Sequence, residues 1–339
     1  PFGTTAESCA RALAGHAPLN LQAISPSLGK PCQAAFVVEH DVRELLGTRS
    51  ISQLDRPSRH IGISIRSLLT TLGMADAGVR RPYLADERIS IVLGTTGSFQ
   101  STVDYEREAI RDPRYVQPSL MPNMVLNVPA SYAAIRHAIR GSCITLTDGP
   151  VSALKALAMG ITQLRCGRID LALCGGAEEA TPAAALVLEA DLYRQGHRGP
   201  LPALLDGAIF LALEPEARAR EQGRDPLLGI HACQHRFVAG QPAQALQACL
   251  DALRPHPAFE RISAVDISGP VDAGMPGLPG REPRHIDKQL SDAPLESANL
   301  GPMLSLLTRA LTNDGTEGSA LVVQCDIAGN AAAALVQKG

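Results

Sequence analysis

The first half of the chain alternates between helical and strand-like spacings of its apolar residues. In the segment 55–78 they recur every three or four positions, which predicts an amphipathic helix. The short apolar run 89–94 ends in glycine, as is typical of a buried strand. The stretch 95–127 is polar and contains prolines, and its length predicts a functional loop rather than a simple connection.

The same patterns continue to the end of the chain. After the loop we predict a helix at about 128–139, a strand at 143–147, a helix at about 151–167, and strands at 170–176 and 207–213. The later segments are a strand at 227–237, a helix at 241–253, a strand at 262–269, a loop at 270–293, a helix at 302–315 and a strand-turn-strand unit at 320–336. This alternation predicts α/β layers in two halves, which we place at 1–222 and 223–339.

Composition narrows the range of functions. Of the 339 residues, 45% are hydrophobic and only 3% are aromatic, so the core must be aliphatic and stacking platforms for bases or sugars are not expected. The 31 Lys+Arg residues nearly balance the 34 Asp+Glu residues, which argues against a nucleic-acid partner. Every apolar run is far shorter than the ~20 residues that cross a bilayer, so we expect no membrane partner.

The eight cysteines bear on the cellular compartment of the protein, and the first residues bear on its N-terminus. The cysteines are scattered singly without a CxxC pair, which favours reduced thiols in a cytoplasmic protein. The chain begins Pro1-Phe2-Gly3, which is neither a signal peptide nor an initiator-methionine context. We therefore expect that the N-terminal half is truncated and that residues precede Pro1 in the natural protein.

One pattern suggests a metal site. His231, Cys233 and His235 alternate along a predicted strand and therefore share one face. Alternate residues of one strand lie about 7 Å apart, which is wide for a single tetrahedral metal ion. We prefer the interpretation that they form an exposed polar face of an edge strand, and we predict neither a metal nor a cofactor.

Four other candidates have simpler explanations. Cys143 behaves as a small buried hydrophobe and needs no reactive role. Ser152 is a possible displaced nucleophile, but without a Gly-x-Ser-x-Gly elbow it is better explained as a residue that satisfies backbone N–H groups at a helix start. The Gly-Thr-Thr-Gly run at 94–97 lacks the lysine and spacing of a phosphate loop. Glu178 and Glu179 are adjacent and point apart, so solvated charges are the default expectation.

Several segments together resemble the β-ketoacyl synthase branch of the thiolase superfamily. They include VLGTTG at 92–97, the stretch 118–157 around the turn Asp148-Gly149-Pro150, and ALCGGAEEATPAAAL at 172–186; the others are 54–78 and AGNAAAALV at 328–336. The resemblance implies a thiolase-like fold in which two similar α/β halves form a layered αβαβα core.

In that family a cysteine at the strand-to-helix turn takes the acyl chain, helped by the helix N-terminus behind it. Two histidines assist decarboxylation of the malonyl unit and stabilise the enolate, and a lysine supports the second histidine. The resemblance places Pro150 at the cysteine position. Proline has no nucleophile, yet it fits the first turn of a helix, so we expect the turn to be kept as structure and lost as chemistry.

The two histidine positions are also changed. The resemblance places Ser268 at the first histidine and Leu295 at the second. A decarboxylating variant of the family keeps both histidines and carries glutamine in place of cysteine, so this chain departs from that pattern too. We therefore predict no catalytic residue at these positions.

Catalytically inactive members of the family act as chain length factors, the β subunits of type II polyketide ketosynthases. The resemblance implies a heterodimer with an active ketosynthase and an acyl carrier protein that presents a phosphopantetheine-bound chain. Chain length factors usually carry glutamine where this chain has Pro150, so the resemblance does not single out the aromatic polyketide group. Aryl polyene and related polyene pathways are equally compatible with it. The alternatives are an acyltransferase with an unrecognised nucleophile and a scaffold subunit that docks the carrier protein.

The resemblance also assigns two surfaces. The predicted strand 143–147 is expected to pair antiparallel with its counterpart in the partner subunit. This interface strand consists of Cys143, Ile144, Thr145, Leu146 and Thr147. The loop before it is expected to line the partner's acyl tunnel through Leu120, Met121 and Met124, and Leu120 stands where an active homodimer commonly has a bulky aromatic residue.

Overall fold

The computed structural model describes most of the chain as helices and strands arranged in three sheets. The described residues are 21–24, 31–37, 41–48, 51–74, 84–97, 99–194, 196, 198–269, 283–286, 295–312 and 318–339. The helices are α1 (Val42–Leu46), α2 (Arg56–Thr71), α3 (Gln100–Arg111), α4 (Val128–Arg136), α5 (Ser152–Arg165), α6 (Pro182–Arg194), α7 (Glu216–Glu221), α8 (Pro242–Leu253) and α9 (Leu300–Leu311).

The strands alternate with these helices. They are β1 (Leu21–Ile24), β2 (Cys32–Ala35), β3 (Ile89–Gly94), β4 (Cys143–Leu146), β5 (Leu171–Glu178), β6 (Ala203–Leu205), β7 (Gly207–Leu213), β8 (Leu228–Phe237), β9 (Ile262–Ser268), β10 (Arg284–His285), β11 (Leu295–Glu296), β12 (Ser319–Cys325) and β13 (Asn330–Lys338). Short strands β1, β2, β6 and β11 form a small third sheet.

The two main sheets share one strand pattern. The first has the order β4-β3-β5-β7, in which β3 is parallel to β4 and β5, and β7 is antiparallel to β5. The second has the order β10-β9-β12-β13-β8, in which β9 is parallel to β10 and β12, and β13 is antiparallel to β12. Strand β8 adds a further antiparallel strand to the second sheet.

Helices separate and cover the two sheets. Helices α2 and α4 pack on the outer face of the first sheet, where Ile61, Ile65 and Leu69 of α2 are fully buried. Helices α5 and α9 lie between the sheets, because α5 contacts strands of both and α9 does the same. Helix α8 covers the outer face of the second sheet. The layers therefore follow the order α-β-α-β-α, which the resemblance described above implies.

The apolar pattern located the central elements well and missed four of the described helices, namely α1, α3, α6 and α7. Strand 89–94 and the helix at 241–253 match β3 and α8 within one residue at either end. The stretch 95–127 is not the predicted loop, because it contains α3 and two 3-10 turns. No residue of α3 is buried, so its polar sequence carries little apolar periodicity. Helix α6 was not predicted either, and the predicted loop at 270–293 lies almost entirely outside the described residues.

Candidate functional site

A sharp turn joins β4 to α5 at the edge of the first sheet. It consists of the 3-10 turn Gly149–Val151, in which Gly149 has a φ of 72°, a left-handed conformation that favours glycine. The end of β3 lies directly against the start of α5. A Cβ atom at Gly94 would stand 2.3 Å from the backbone nitrogen of Ala153, so only glycine permits this approach. We call this region, residues 148–153, the elbow.

Pro150 removes two chemical groups from the elbow. Its ring is half-buried and carries no nucleophile, and its backbone nitrogen carries no hydrogen to donate. An acyl oxygen at this position would therefore lose a backbone donor of the kind that stabilises an oxyanion. This one residue of the elbow therefore offers neither a nucleophile nor a backbone N–H donor.

Ser152 is committed to holding the elbow. Its buried hydroxyl accepts a hydrogen bond from the backbone N–H of Asp148 at 2.7 Å and donates one to the carbonyl of Gly149 at 2.7 Å. It therefore satisfies an N–H and a carbonyl of the turn before α5, rather than N–H groups within the first turn of the helix as the sequence analysis expected. A hydroxyl engaged in this way is not a displaced nucleophile.

Asn299 closes the elbow from the other half of the chain. Its fully buried side chain accepts a hydrogen bond from the Ala153 N–H at 2.7 Å and donates to the Gly149 carbonyl at 3.0 Å. The same amide group donates to Oε1 of Glu178 at 2.7 Å. Asn299 directly precedes α9 but makes no side-chain cap to that helix. It caps α5 instead, and we call this arrangement the Asn299 bridge.

Glu178 anchors the bridge at the end of β5. Its Oε1 accepts from the backbone N–H of Thr96 at 3.0 Å, and its Oε2 pairs with the Thr96 hydroxyl at 2.5 Å. Burial raises the pKa of Glu178 to about 7, and the hydrogen bonds from Thr96 and Asn299 oppose that rise. The expectation of a solvated charge was wrong, because the carboxyl has exchanged water for three donors inside the protein.

Glu179 faces away from Glu178, as adjacent residues of a strand must. Its carboxylate accepts the backbone N–H of Gln100 at 2.8 Å. Burial raises its pKa to about 7, and the negative charges of Asp206 and Asp55 add to the rise. Glu179 is therefore also largely buried rather than solvated. The two carboxyl groups belong to separate networks and do not form an acid–base pair.

The proposed histidine positions lie in different surroundings. Ser268 ends β9 and is buried, and its hydroxyl has no hydrogen-bond partner among the described residues. It lies beside the start of α9, since a Cβ atom at Gly301 would be 2.7 Å from the Ser268 hydroxyl. Leu295 belongs to β11, which pairs with Ala203 and Leu204 in the third sheet. The side chain that reaches the elbow is that of Asn299, which the sequence analysis did not single out.

The three candidate metal ligands on β8 do not converge. His231 contacts Gln337 through Nε2 at 3.1 Å, whereas the Cys233 thiol donates to the Leu154 carbonyl at 3.2 Å. Within the described part of the chain no group of three or more histidine, cysteine or acidic side chains could hold a metal ion. The face is not simply exposed either, because Cys233 packs against α5 and burial raises its pKa to about 12.

His235 lies within electrostatic reach of the elbow. Burial lowers its pKa, and the positive charge of Lys155 lowers it further. Lys155 itself forms an ion pair with Asp148 at 2.7 Å. The imidazole is therefore neutral near pH 7 and stands beside an ion pair, and among the described residues only the charge of Asp148 favours its protonation.

Strand β4, the proposed interface strand, forms one edge of the first sheet. The carbonyls of Ser142 and Leu146 accept hydrogen bonds from backbone N–H groups at β3. Because backbone groups alternate in direction along a strand, the N–H and C=O groups of Cys143 and Thr145 point away from the sheet. The Thr145 hydroxyl is buried without a partner among the described residues. Burial raises the pKa of Cys143, which disfavours a reactive thiolate.

The proposed tunnel residues lie on the 3-10 segment Pro118–Met124. Asn123 anchors this segment, because its amide donates to the Gln53 carbonyl at 3.1 Å and its own carbonyl accepts from the Ser101 hydroxyl at 3.0 Å. Leu120 is 40% exposed and Met121 is 54% exposed, whereas Met124 is half-buried. Two large apolar side chains therefore project from a firmly held backbone.

Comparisons with known proteins agree with this architecture. Residues 61–191 match the family model described as the N-terminal domain of β-ketoacyl synthase. The structure resembles a chain of the ishigamide ketosynthase/chain length factor, with a TM-score of 0.76, 26% identity, and coverage of 98% of this chain and 95% of that one.

Two further solved structures show the same fold at lower identity. One is a ketosynthase in complex with its chain length factor from Xenorhabdus doucetiae, with a TM-score of 0.67, 15% identity, and coverage of 100% of this chain and 95% of that one. The other is a type II polyketide synthase acyl-carrier protein in complex with its ketosynthase, with a TM-score of 0.73, 13% identity, and coverage of 100% and 96%.

The fold prediction is confirmed: the chain has the thiolase-like α/β fold of ketosynthases, and residues 61–191 match the model of the β-ketoacyl synthase N-terminal domain. In the described part of the chain, none of the helices has the length and apolar character needed to cross a membrane.

Proposed function

We propose that this chain is a non-catalytic ketosynthase-like subunit, a chain length factor, that pairs with an active ketosynthase in a type II polyketide, aryl polyene or related polyene synthase. The observation that carries the proposal is the elbow. Pro150 supplies neither a nucleophile nor an N–H donor, and the donor of Ala153 is already occupied by Asn299. The solved complex at 26% identity, a ketosynthase with its chain length factor, supports the assignment.

The two histidine positions support the same conclusion. Ser268 provides no imidazole at the end of β9, and Leu295 provides none in the third sheet. Condensation needs groups that move protons and stabilise the enolate, and each such group contributes about 10²–10⁴-fold to the rate. The elbow is therefore retained because it holds β3, α5 and α9 together.

Strand β4 supplies the proposed contact with the active ketosynthase. Its outward-facing backbone groups need partners, and an unpaired apolar edge tends to aggregate. We propose that Cys143 to Thr147 pair antiparallel with the equivalent strand of the partner, in an interface of ~2,000–5,000 Å². Co-expression of this chain with the ketosynthase of the same system, followed by light scattering, tests the pairing. A one-to-one complex is expected, and a stable monomer at micromolar concentration would contradict the proposal.

We further propose that Leu120, Met121 and Met124 line the tunnel that holds the growing chain. The anchored 3-10 segment fixes the backbone, so side-chain volume sets the depth of the tunnel. Methionine side chains adapt to chains of different shape. The alternative is that these three residues only pack the interface.

Substitution at Leu120 separates the two roles. Leu120→Phe and Leu120→Trp should shorten the product that the reconstituted complex makes. The complex itself should still assemble one-to-one. Ile110→Phe, at an exposed apolar position on α3 outside the loop, is the control and should leave product length unchanged. If both Leu120 variants assemble normally and give the original product lengths, the loop does not set chain length.

An acyl carrier protein with its phosphopantetheine-bound chain is the proposed second partner, as one of the similar structures contains such a protein with its ketosynthase. We propose a cytoplasmic location, where the free thiols of the described cysteines stay reduced. We also propose that the two halves meet at 222/223, in the turn between α7 and β8.

A further inference from the structure

The segment Pro118–Met124 is held by polar contacts rather than by apolar packing. Among its seven residues only Asn123 is buried, and the large apolar side chains of Leu120 and Met121 are exposed. An exposed side chain does little to fix the backbone that carries it, because it has few neighbours to pack against. The positions of Leu120 and Met121 therefore depend on the hydrogen bonds that tie the segment to the rest of the chain.

Two of these hydrogen bonds come from the first turn of α3. The Ser101 hydroxyl lies 3.0 Å from the Asn123 carbonyl, and the Thr102 hydroxyl donates to the Met124 carbonyl at 3.3 Å. A further bond runs from the Asn123 amide to the Gln53 carbonyl. Ser101 and Thr102 thus hold the backbone carbonyls of the last two residues of the segment.

The first turn of α3 is fixed by two other elements. Helix α3 buries none of its residues, so hydrogen bonds must hold it in place. The backbone N–H of Gln100 donates to the carboxylate of Glu179 directly after β5 at 2.8 Å, and the Ser101 hydroxyl also lies 3.0 Å from Oδ2 of Asp55. Asp55 caps α2, since its Oδ1 accepts the Ser58 N–H at 3.0 Å. A continuous set of hydrogen bonds therefore connects β5 and α2 with the segment Pro118–Met124.

We infer that Ser101 and Thr102 are positioning residues for chain length, an inference that rests on the tunnel role proposed above for Leu120. Neither hydroxyl needs to touch the growing chain. They fix the carbonyls of Asn123 and Met124, and thereby the depth to which Leu120 reaches into the tunnel. A wall that is loose by about 1 Å no longer ends the tunnel at one depth. Without the two hydroxyls the complex should release a mixture of product lengths.

Removal of the hydroxyls tests this inference in the reconstituted complex. Ser101→Ala and Thr102→Val change side-chain size little, and mass spectrometry gives the product lengths of each variant and of the double variant. In the double variant the share of the main product should fall roughly twofold or more, in favour of both longer and shorter products, because the wall is no longer held in one position. Total turnover should change less than about twofold, since neither residue takes part in the chemistry.

Two kinds of control separate positioning from a general structural role. Ser101→Thr and Thr102→Ser keep the hydroxyls and should keep the original distribution of lengths. Thr70→Val removes a hydroxyl that bonds to the Arg66 carbonyl within α2, and it should also leave the distribution unchanged. A role limited to stability would lower assembly or turnover of the hydroxyl variants without altering the product lengths, and this result would overturn the inference.

Combination with Leu120→Trp distinguishes this inference from the proposed function. If the hydroxyls act through Leu120, their joint removal should reduce the shortening caused by Leu120→Trp roughly twofold or more. If Leu120→Trp shortens the product while the hydroxyl variants keep the original lengths, the inference is wrong and the tunnel role stands. If neither set of variants changes product length, the tunnel role fails and the inference fails with it.

Discussion

Single residues decide what the elbow can do. Pro150 provides neither a nucleophile nor an N–H donor, and Asn299 accepts the N–H of Ala153 at the start of α5. A helix N-terminus activates a thiolate or an oxyanion only when its N–H groups are free to point at it. Here the N–H of Ala153 donates to the side-chain amide of Asn299, and that side chain is fully buried.

Pro150→Cys alone should therefore not restore condensation. The new thiol would lack an imidazole partner at Ser268, and the Asn299 bridge would keep the Ala153 N–H from it. We expect the complex that contains the variant to turn over at the same rate as the complex that contains the original chain. Mass spectrometry should find no acyl group on the introduced thiol. Acylation followed by condensation in this single variant would show that another histidine serves the site.

The pKa of Glu178 predicts a pH dependence of stability. Burial raises the folded-state pKa to about 7, above the ordinary value of 4.5 in the unfolded chain. Between these values the folded state binds the proton more strongly, so the contribution to stability is full below about pH 4.5 and is lost as the pH rises through 7. Protonation of Oε2 costs no hydrogen bond, because both N–H donors bond to Oε1 and the Thr96 hydroxyl can accept instead.

Glu178→Gln should remove this part of the dependence, since its amide reproduces the protonated carboxyl. We expect the urea midpoint of the variant to fall less than that of the original protein between about pH 5 and about pH 7.5, with the remaining slope due to Glu179. Glu106→Gln, at an exposed position of α3, is the control and should leave the slope unchanged. An unaltered slope in Glu178→Gln would mean that this carboxyl is ionised throughout.

At the scale of elements, the free edge of strand β4 determines how the chain can pair with a partner. Strand β4 bonds to β3 on one side only, and the N–H of Thr145 points outward. Thr145→Pro deletes that outward donor and leaves the β3 bonds of Ser142 and Leu146 in place. We expect the heterodimer to dissociate at least tenfold more readily in analytical ultracentrifugation while the circular dichroism of the chain is retained. An unweakened complex would remove β4 from the interface.

The elements also show what a sequence can and cannot predict. Strand β3 is buried on every residue, and its apolar run is visible from the sequence alone. Helix α3 buries none of its residues, so its existence depends on contacts with the segment Pro118–Met124 that no local pattern records. The resemblance located Pro150, but the bridge joins residues 146 positions apart, and such pairing appears only in three dimensions.

The second histidine position illustrates the same limit. The segment 295–301 contains both Leu295, chosen by resemblance, and Asn299, whose side chain reaches the elbow. An asparagine directly before a helix is ordinarily assigned as the cap of that helix. In this fold Asn299 caps the neighbouring helix α5, and the starts of the two central helices are joined by one amide.

For the whole molecule, two similar halves enclose a central pair of helices whose starts meet at the elbow. The chain has the fold of ketosynthases, and a buried structural bridge holds its elbow. Under the function proposed above, the protein contributes to a reaction through the surfaces it presents to a partner. Its free edge β4 and the apolar segment Pro118–Met124 are the surfaces we assign to that role.

Turnover by the isolated chain is the most direct test of this account. The purified protein is incubated alone with malonyl- and acyl-carrier-protein substrates, and carbon dioxide release and condensation products are measured; the complex with its ketosynthase serves as the positive control. We predict no decarboxylation and no condensation by the chain alone. Turnover by the complex should be unaffected when Cys166, an exposed cysteine outside the proposed interface, is alkylated in this subunit before assembly. Decarboxylation or condensation by the isolated chain would contradict the account.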